Sequence, residues 1–425
     1  MDVLIADVIG DVALVLVLSS LLGALARYWG QPRVVGQILA GILLGPSVLG
    51  RLPSHLTSRI FPHAALPILT VLSDVAIVIF MFVVGYELNW RPLRGRHRAV
   101  PLVAISALLV PMSLGSGAVL IFRSVFAAVG QPHLSQSFLL FMGVAMSVTA
   151  LPVLAAIARE RRIAASTAGA TATTAAGIMD AAAWLVLPAV LVGTHQKSRW
   201  PWPVTLLLIS CFAVIMLRMV RPALRWWIAR PRSVLSNQLP AAVALALGSA
   251  WVTASLGLHP VFGGFLAGLT MPSPDRNPDP EVLFPMEEVG GLLLPLFFAV
   301  TGLSLNMGTL DGTAFAMLAL VCAIASIGKL GPAYLASRLG GLAQRDALTV
   351  AVLVNTRGLT ELIVLNVGLS AGLIGQRLFT VLVLMALIMT TVTAPLLSLI
   401  RVPAEPPSVR ERGSLAPPPS NASEP

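Results

Sequence analysis

Charge is what this sequence has least of. Only 11% of its 425 residues are Asp, Glu, Lys or Arg, against roughly a quarter in soluble domains. A chain so poor in charge cannot present a water-solvated surface along most of its length. Cysteine is also scarce. Cys211 and Cys322 lie far apart within apolar runs, which excludes a disulfide framework and a Cys-based metal site. No basic residue precedes Arg27, while Asp2, Asp7 and Asp11 do. That is the reverse of a signal-peptide leader, so no cleavage is expected. There is no GxGxxG after a strand and no P-loop, so no nucleotide site is expected.

Hydrophobic residues make up 56% of the chain, and mean hydropathy is +0.87. A membrane-crossing helix needs about 20 apolar residues, and the sequence supplies many such runs. Weak alternation and abundant Gly and Pro favour helices over a barrel. The spans fall at 8–28, 33–50, 65–90, 99–124, 134–159, 162–194, 201–222, 236–257, 259–271, 285–307, 313–340, 345–372 and 376–400. The fold expected is an all-α polytopic membrane protein of about thirteen helices. The shortest run, 259–271, follows His259-Pro260 and reads as a half-buried or re-entrant segment.

The net charge of +10 does not indicate a nucleic-acid partner, because the basic residues sit in short loops between apolar runs. With the N-terminus outside, twenty of them fall in cytoplasmic segments and six in external ones. The positive-inside rule then places the C-terminus in the cytoplasm. The segment 402–425 is rich in Pro, Ser and Glu and is expected to be disordered.

Four charges lie deep in spans: Asp180, Lys329, Arg357 and Glu361. Each costs about 2.5–3.5 kcal/mol at the bilayer centre even on the lenient insertion scale. Such groups persist when they pair, face an aqueous cavity or do chemistry. Arg357 and Glu361 are four residues apart, so they share a helix face and can pair locally. Asp180 has no nearby cation in sequence, and Lys329 is the expected counter-charge. Asp74 and Glu87 stand near the two ends of the third span and are read as structural groups within reach of the interface.

Two spans contain stretches hostile to helix. Ser147-Val148-Thr149-Ala150-Leu151-Pro152 interrupts the fifth, and Asn355-Thr356-Arg357-Gly358-Leu359-Thr360 interrupts the twelfth. Proline removes a helical hydrogen bond, and hydroxyls offer oxygens to freed backbone groups. Taken alone, the first break could be a simple proline kink. Paired breaks in two halves of a transporter point to its binding site. The two are an odd number of spans apart, the fifth and the twelfth, so they run in opposite directions, as an inverted repeat requires.

These residues resemble a known family. SVTALPVLAAIARERRI (147–163) and GIMDAAAWLVLP (177–188) are similar to the signature of monovalent cation:proton antiporters that include Kef-type and CHX-type exchangers. QPRVVGQILAGILLGPSVLG (31–50), LPLFFAVTGLSLN (294–306), SIGKLGP around Lys329, and NTRGLTELIVLNVGL (355–369) resemble further blocks, closest to the CHX-type branch. The resemblance implies a sodium/proton exchanger domain over 1–401, in an inverted-repeat antiporter fold with two crossed discontinuous helices. It implies a core of spans 4–7 and 11–13 (about 99–222 and 313–400). Spans 1–3 and 8–10 (about 8–90 and 236–307) would form a dimerisation domain, giving a homodimer.

It also implies a non-enzymatic carrier of the plasma membrane, without a cofactor, exchanging sodium or potassium for protons. Asp180 would be the transport carboxylate and alkali-cation ligand, with Thr149, Ser147 and Thr356 as neighbouring oxygens. Lys329, Arg357 and Glu361 would be the charge-compensating groups. Met179 departs from the pattern, since relatives carry a polar residue before the aspartate. With one carboxylate there, electroneutral exchange is the simplest expectation. A thioether is a poor ligand for a hard cation, so Met179 also leaves open a proton-coupled exporter of an organic compound. No C-terminal regulatory domain of the Kef kind is expected.

Overall fold

The computed structural model describes residues 2–45, 47–51, 60–87, 98–129, 134–164, 166–192, 201–228, 238–272 and 278–400. The helices are α1 (Asp2–Tyr28), α2 (Arg33–Leu44), α3 (Leu66–Glu87), α4 (Ala99–Ile121), α5 (Arg123–Ala128), α6 (Gln136–Ser147), α7 (Leu151–Glu160) and α8 (Thr167–Val192). They continue with α9 (Trp202–Ile215), α10 (Arg221–Ile228), α11 (Gln238–Ser255), α12 (Val261–Thr270), α13 (Pro280–Leu303), α14 (Gly312–Leu339), α15 (Gln344–Val354), α16 (Leu359–Ser370) and α17 (Gln376–Ile400). No strand occurs among the described residues. Eleven helical segments are long and apolar enough to cross a membrane, with α6–α7 and α15–α16 each counted as one. With the shorter α2 and α12 they fill the thirteen expected positions.

Several boundaries differ from expectation for local reasons. The second span is expected at 33–50, yet α2 ends at Leu44, where Gly45 turns extended. Its 12 residues reach only about 18 Å. The 10 residues of α12 reach about 15 Å, half the hydrocarbon thickness. The seventh span does not stop at 222. A π-helical turn, Met216–Val220, carries α9 into α10. The tail 402–425 lies outside the described residues, as do Arg91, Arg94, Arg96, Arg230, Arg232 and Arg276 of the orientation argument.

The helices pack in two groups. In the site bundle, α4 packs on α6, α8 and α14, and α15 packs on α8, α14 and α17. In the flanking bundle, α3 packs on α12 and α13, α2 on α1 and α13, and α11 on α12. Glycine permits the close approaches in the flanking bundle, as small residues do between membrane helices. Gly264 and Gly268 of α12 lie directly against the backbone of Val78 and Phe82 of α3. Helix α9 touches α8, and its π turn touches α12, so the seventh span contacts both bundles.

Helix α3 has two different faces. Val78, Ile79, Phe82, Val83 and Tyr86 join Ala242, Ala246, Val282 and Met286 in a cluster of flanking-bundle residues. Ile77 and Met81 instead join the large cluster that includes Phe141 and Met146 of α6, Trp184 and Leu187 of α8, and Leu362 and Ile363 of α16. That cluster also takes in Ile38 and Ile42 of α2, Phe262 and Phe265 of α12, and Phe297 and Phe298 of α13, so Ile77 and Met81 belong to the core in which the two groups of helices meet.

Candidate functional site: two crossed breaks in the membrane

Both expected breaks are present. Val148, Thr149 and Ala150 are non-helical between α6 and α7, and Asn355 to Gly358 are non-helical between α15 and α16. The two breaks meet. The Ala150 N–H donates to the Thr356 carbonyl at 3.1 Å. The Thr149 hydroxyl donates to the Val354 carbonyl at 3.1 Å. The Thr360 hydroxyl donates back to the Thr149 carbonyl at 3.2 Å. Each chain thus satisfies backbone groups that the other leaves free, which is obligatory where no water is at hand. Two crossed discontinuous helices are the outcome.

Gly358 makes the second break possible. Its φ is +151°, a region that side chains disfavour. A Cβ there would stand 2.9 Å from Val153 Cγ2 of α7. Glycine at this position lets α16 start against the other broken helix.

The four intramembrane charges converge on these breaks, and all four are buried. Helix α6 ends with its carbonyls unsatisfied and its dipole negative, which favours cations. Two cations meet it. Arg357 donates from Nη1 to the Ala145 carbonyl at 3.0 Å and from Nη2 to the Met146 carbonyl at 2.7 Å. Lys329, projecting from α14, donates from Nζ to the Val148 carbonyl at 2.5 Å and to the Thr149 hydroxyl. Helix α7 presents the opposite end, where a carboxylate is favoured. There the Leu151 N–H donates to Asp180 Oδ2 at 3.3 Å.

Arg357 and Glu361 form the expected ion pair, Nη1 to Oε1, at 2.6 Å. The Asp180–Lys329 pair differs from expectation. Among the described residues the ion pairs within 4 Å are Arg357–Glu361 and Arg377–Asp311. Lys329 does not close on Asp180; its ammonium is taken by the Val148 carbonyl and the Thr149 hydroxyl at the first break.

The remaining expected residues divide. Thr149 and Thr356 sit within the breaks. Ser147 ends α6 and donates to Val144 of its own helix at 2.8 Å. Four buried oxygens at the site make no hydrogen bond: Asp180 Oδ1, Asn355 Oδ1, Thr356 Oγ1 and Glu361 Oε2. Oxygen donors suit a hard alkali cation. Met179 is fully buried in an apolar cluster with Ala150, Val153 and Leu154. Its thioether is packed among hydrocarbon.

Two contributors escape the sequence reading. Thr390 of α17 donates its hydroxyl to the Arg357 carbonyl within the second break. Asn355 stands beside Met389, Nδ2 to Sδ at 3.9 Å. The run Thr390-Thr391-Val392-Thr393 in the last span was the available signal for the first.

Comparison with known proteins agrees with this geometry. The family model described as "Sodium/hydrogen exchanger, transmembrane" matches residues 14–400. The chain belongs to that family. It is 35% identical over 407 residues to Cation/H(+) antiporter 20 of Arabidopsis thaliana, covering 92% of this chain and 48% of that protein. It is 35% identical to the Na(+)/H(+) antiporter NhaS4 of Synechocystis sp., covering 92% of this chain and 96% of that one. It is 31% identical to K(+)/H(+) antiporter 1 of Saccharomyces cerevisiae, over 87% of this chain and 43% of that protein. The chain therefore spans about half the length of the plant relatives. The sodium proton antiporter MjNhaP1 of Methanocaldococcus jannaschii superimposes with a TM-score of 0.64 at 16% identity, over 92% of this chain and 96% of that one. That likeness shows a shared antiporter fold.

Proposed function

We propose that this exchanger-family chain is a secondary antiporter that trades a monovalent cation, sodium or potassium, for protons at Asp180. The observation that carries this reading is the state of that carboxylate. It is 2% exposed, held by one backbone N–H through Oδ2, and left with Oδ1 unpartnered. A buried carboxylate with one free oxygen accepts either a proton or a cation, and not both at full strength. That competition enforces exchange. Thr149, Ser147 and Thr356 supply further oxygens at the breaks, while Lys329, Arg357 and Glu361 balance the charge.

With Met179 packed in hydrocarbon, one carboxylate titrates at this position, and one-for-one electroneutral exchange follows. The site bundle is the moving core, and the flanking bundle is the dimerisation domain of a homodimer. Alternating access arises from movement of one bundle against the other. The protein works in the plasma membrane with its N-terminus outside and C-terminus inside, as the loop arginines require.

The test is proton flux in proteoliposomes across a panel of sodium, potassium and organic cations. Wild-type protein dissipates a pH gradient on addition of sodium or potassium, and Asp180→Asn does not. Full exchange by Asp180→Asn would overturn the reading.

A further inference from the structure

Asp74 stands apart from the four charges of the crossed breaks. It lies in α3, a membrane-spanning helix, and is half-buried. Among the described residues it makes no hydrogen bond and no ion pair. Asp74 lies eight residues inside the start of α3, about 12 Å along the helix, deeper than the interface position expected from the sequence, and a carboxylate there without a partner is costly unless it serves a polar route. Helical phase decides which way it looks. Asp74, Ile77 and Met81 are at i, i+3 and i+7, one stripe of the helix. Ile77 and Met81 belong to the cluster shared with the site bundle, so Asp74 borders the seam between the two bundles.

Its depth can be read from register. Val78 lies against Gly264 and Phe82 against Gly268, so α3 and α12 run parallel with a fixed offset. That offset sets Asp74 level with His259 and Pro260, at the start of α12. One turn further in, Phe262 meets Trp184 of α8 edge-on, with ring centroids 6.0 Å apart, and Phe265 meets the same ring at 6.3 Å. Trp184 is one turn beyond Asp180 on α8. Alternate crossings bring the end of α8 to the face where α3 begins. From that face inward, the order is Asp74, the Trp184–Phe262–Phe265 contact, then Asp180.

We infer that Asp74 is an access-route carboxylate, which collects the incoming monovalent cation on the α3-entry face of the membrane. The aromatic contact separates it from Asp180 until the bundles move. This inference rests on the reading of Asp180 as the transport carboxylate.

Sided kinetics test it. Sodium- and potassium-driven proton flux is measured in right-side-out and in everted membrane vesicles. Asp74→Asn raises the cation KM about five- to tenfold from the α3-entry face, the loss expected for one unit charge near the path. From the opposite face KM stays at the wild-type value. Asp74→Glu keeps wild-type KM on both faces. An unchanged KM for Asp74→Asn, or an equal rise from both faces, overturns the inference. If Asp74→Asn does not accumulate in membranes, Asp74→Cys in a Cys211→Ser, Cys322→Ser background carries the test. A negatively charged thiol reagent then lowers KM from the entry face and a positively charged one raises it; equal effects overturn the inference. Asp180→Asn is the control. Exchange retained there overturns the transport-site reading itself, whereas exchange abolished there with unchanged KM in Asp74→Asn overturns only the access role.

Discussion

Lys329 reaches across from α14 to the hydroxyl of Thr149, in the gap between two half-helices. Its ammonium also caps the Val148 carbonyl at 2.5 Å, so one cation holds the break open and shares the site with Asp180. Asp180 and Glu361 are acids and Lys329 and Arg357 are bases, all four buried, so with every group ionised the set sums to zero. Such a cluster is stable as a set and intolerant of single losses.

Lys329→Met therefore leaves an uncompensated buried charge and is expected to cost about 3–5 kcal/mol of stability. Adding Asp180→Asn restores neutrality, so the double variant should unfold at a higher temperature than Lys329→Met alone. Thermal unfolding of the four proteins in detergent completes the double-mutant cycle. Additive losses would show that Lys329 and Asp180 are not electrostatically coupled.

Arg357 has a different task, since its planar fork serves three acceptors at once: the Ala145 carbonyl, the Met146 carbonyl and Glu361 Oε1. Arg357→Ala strands all three and should cost about 3–5 kcal/mol. Arg357→Lys keeps the charge and loses the fork, so it should rescue only part of that loss. Purification yield and unfolding temperature report both. Equal stability of Arg357→Lys and wild type would assign the effect to charge alone.

The sequence announces the charges and breaks more clearly than their partners. Apolar runs locate the spans, because hydropathy acts locally. The Arg357–Glu361 pair is legible because only four positions separate the two, although Arg357 stands in the break before α16 and not on the helix. The contacts of Lys329 are not legible. They join residues about 180 positions apart, and no local pattern says which of two neighbours an ammonium will choose. The short α2 was legible by contrast: Gly45-Pro46-Ser47 follows Leu44, a helix-ending signal that the expected span 33–50 ran through. The setting of Met179 is likewise not legible from its place beside Asp180. Adjacent residues on a helix point about 100° apart, so its neighbour Asp180 can serve the break while Met179 packs in hydrocarbon.

Away from the site, Asp311 ties together the starts of two helices. It accepts from Arg377 of α17 and caps α14 through the Ala314 N–H at 2.9 Å. The Arg377 hydrogen bond first, and the Ala314 N–H second, hold its carboxyl below the usual carboxylate range. A depressed folded pKa gives stability that is present above the unfolded value, about 3.9, and is lost as pH falls through the folded one. Asp311→Asn should lower the unfolding temperature at pH 7. The gap to wild type should close below pH 4 (about the unfolded value). A constant gap across that range would contradict the assignment.

Gly358 links backbone geometry most directly to exchange. Its φ of +151° belongs to a region that is essentially glycine's alone, and other residues held in such regions cost about 1–3 kcal/mol. Gly358→Ala adds a Cβ at 2.9 Å from Val153 Cγ2, so α7 and α16 must separate or the break must rewind. Either response disturbs the hydrogen bond from Ala150 to Thr356 that fixes the crossing. The expected result is a protein that inserts and purifies but exchanges cations for protons at least tenfold more slowly, since a 1.4 kcal/mol distortion of the site corresponds to about tenfold in rate. Val153→Ala in the same chain relieves the side-chain clash and leaves the backbone strain, so it should restore only part of the activity. Full recovery in that double variant would place the effect in packing rather than in the glycine's backbone conformation.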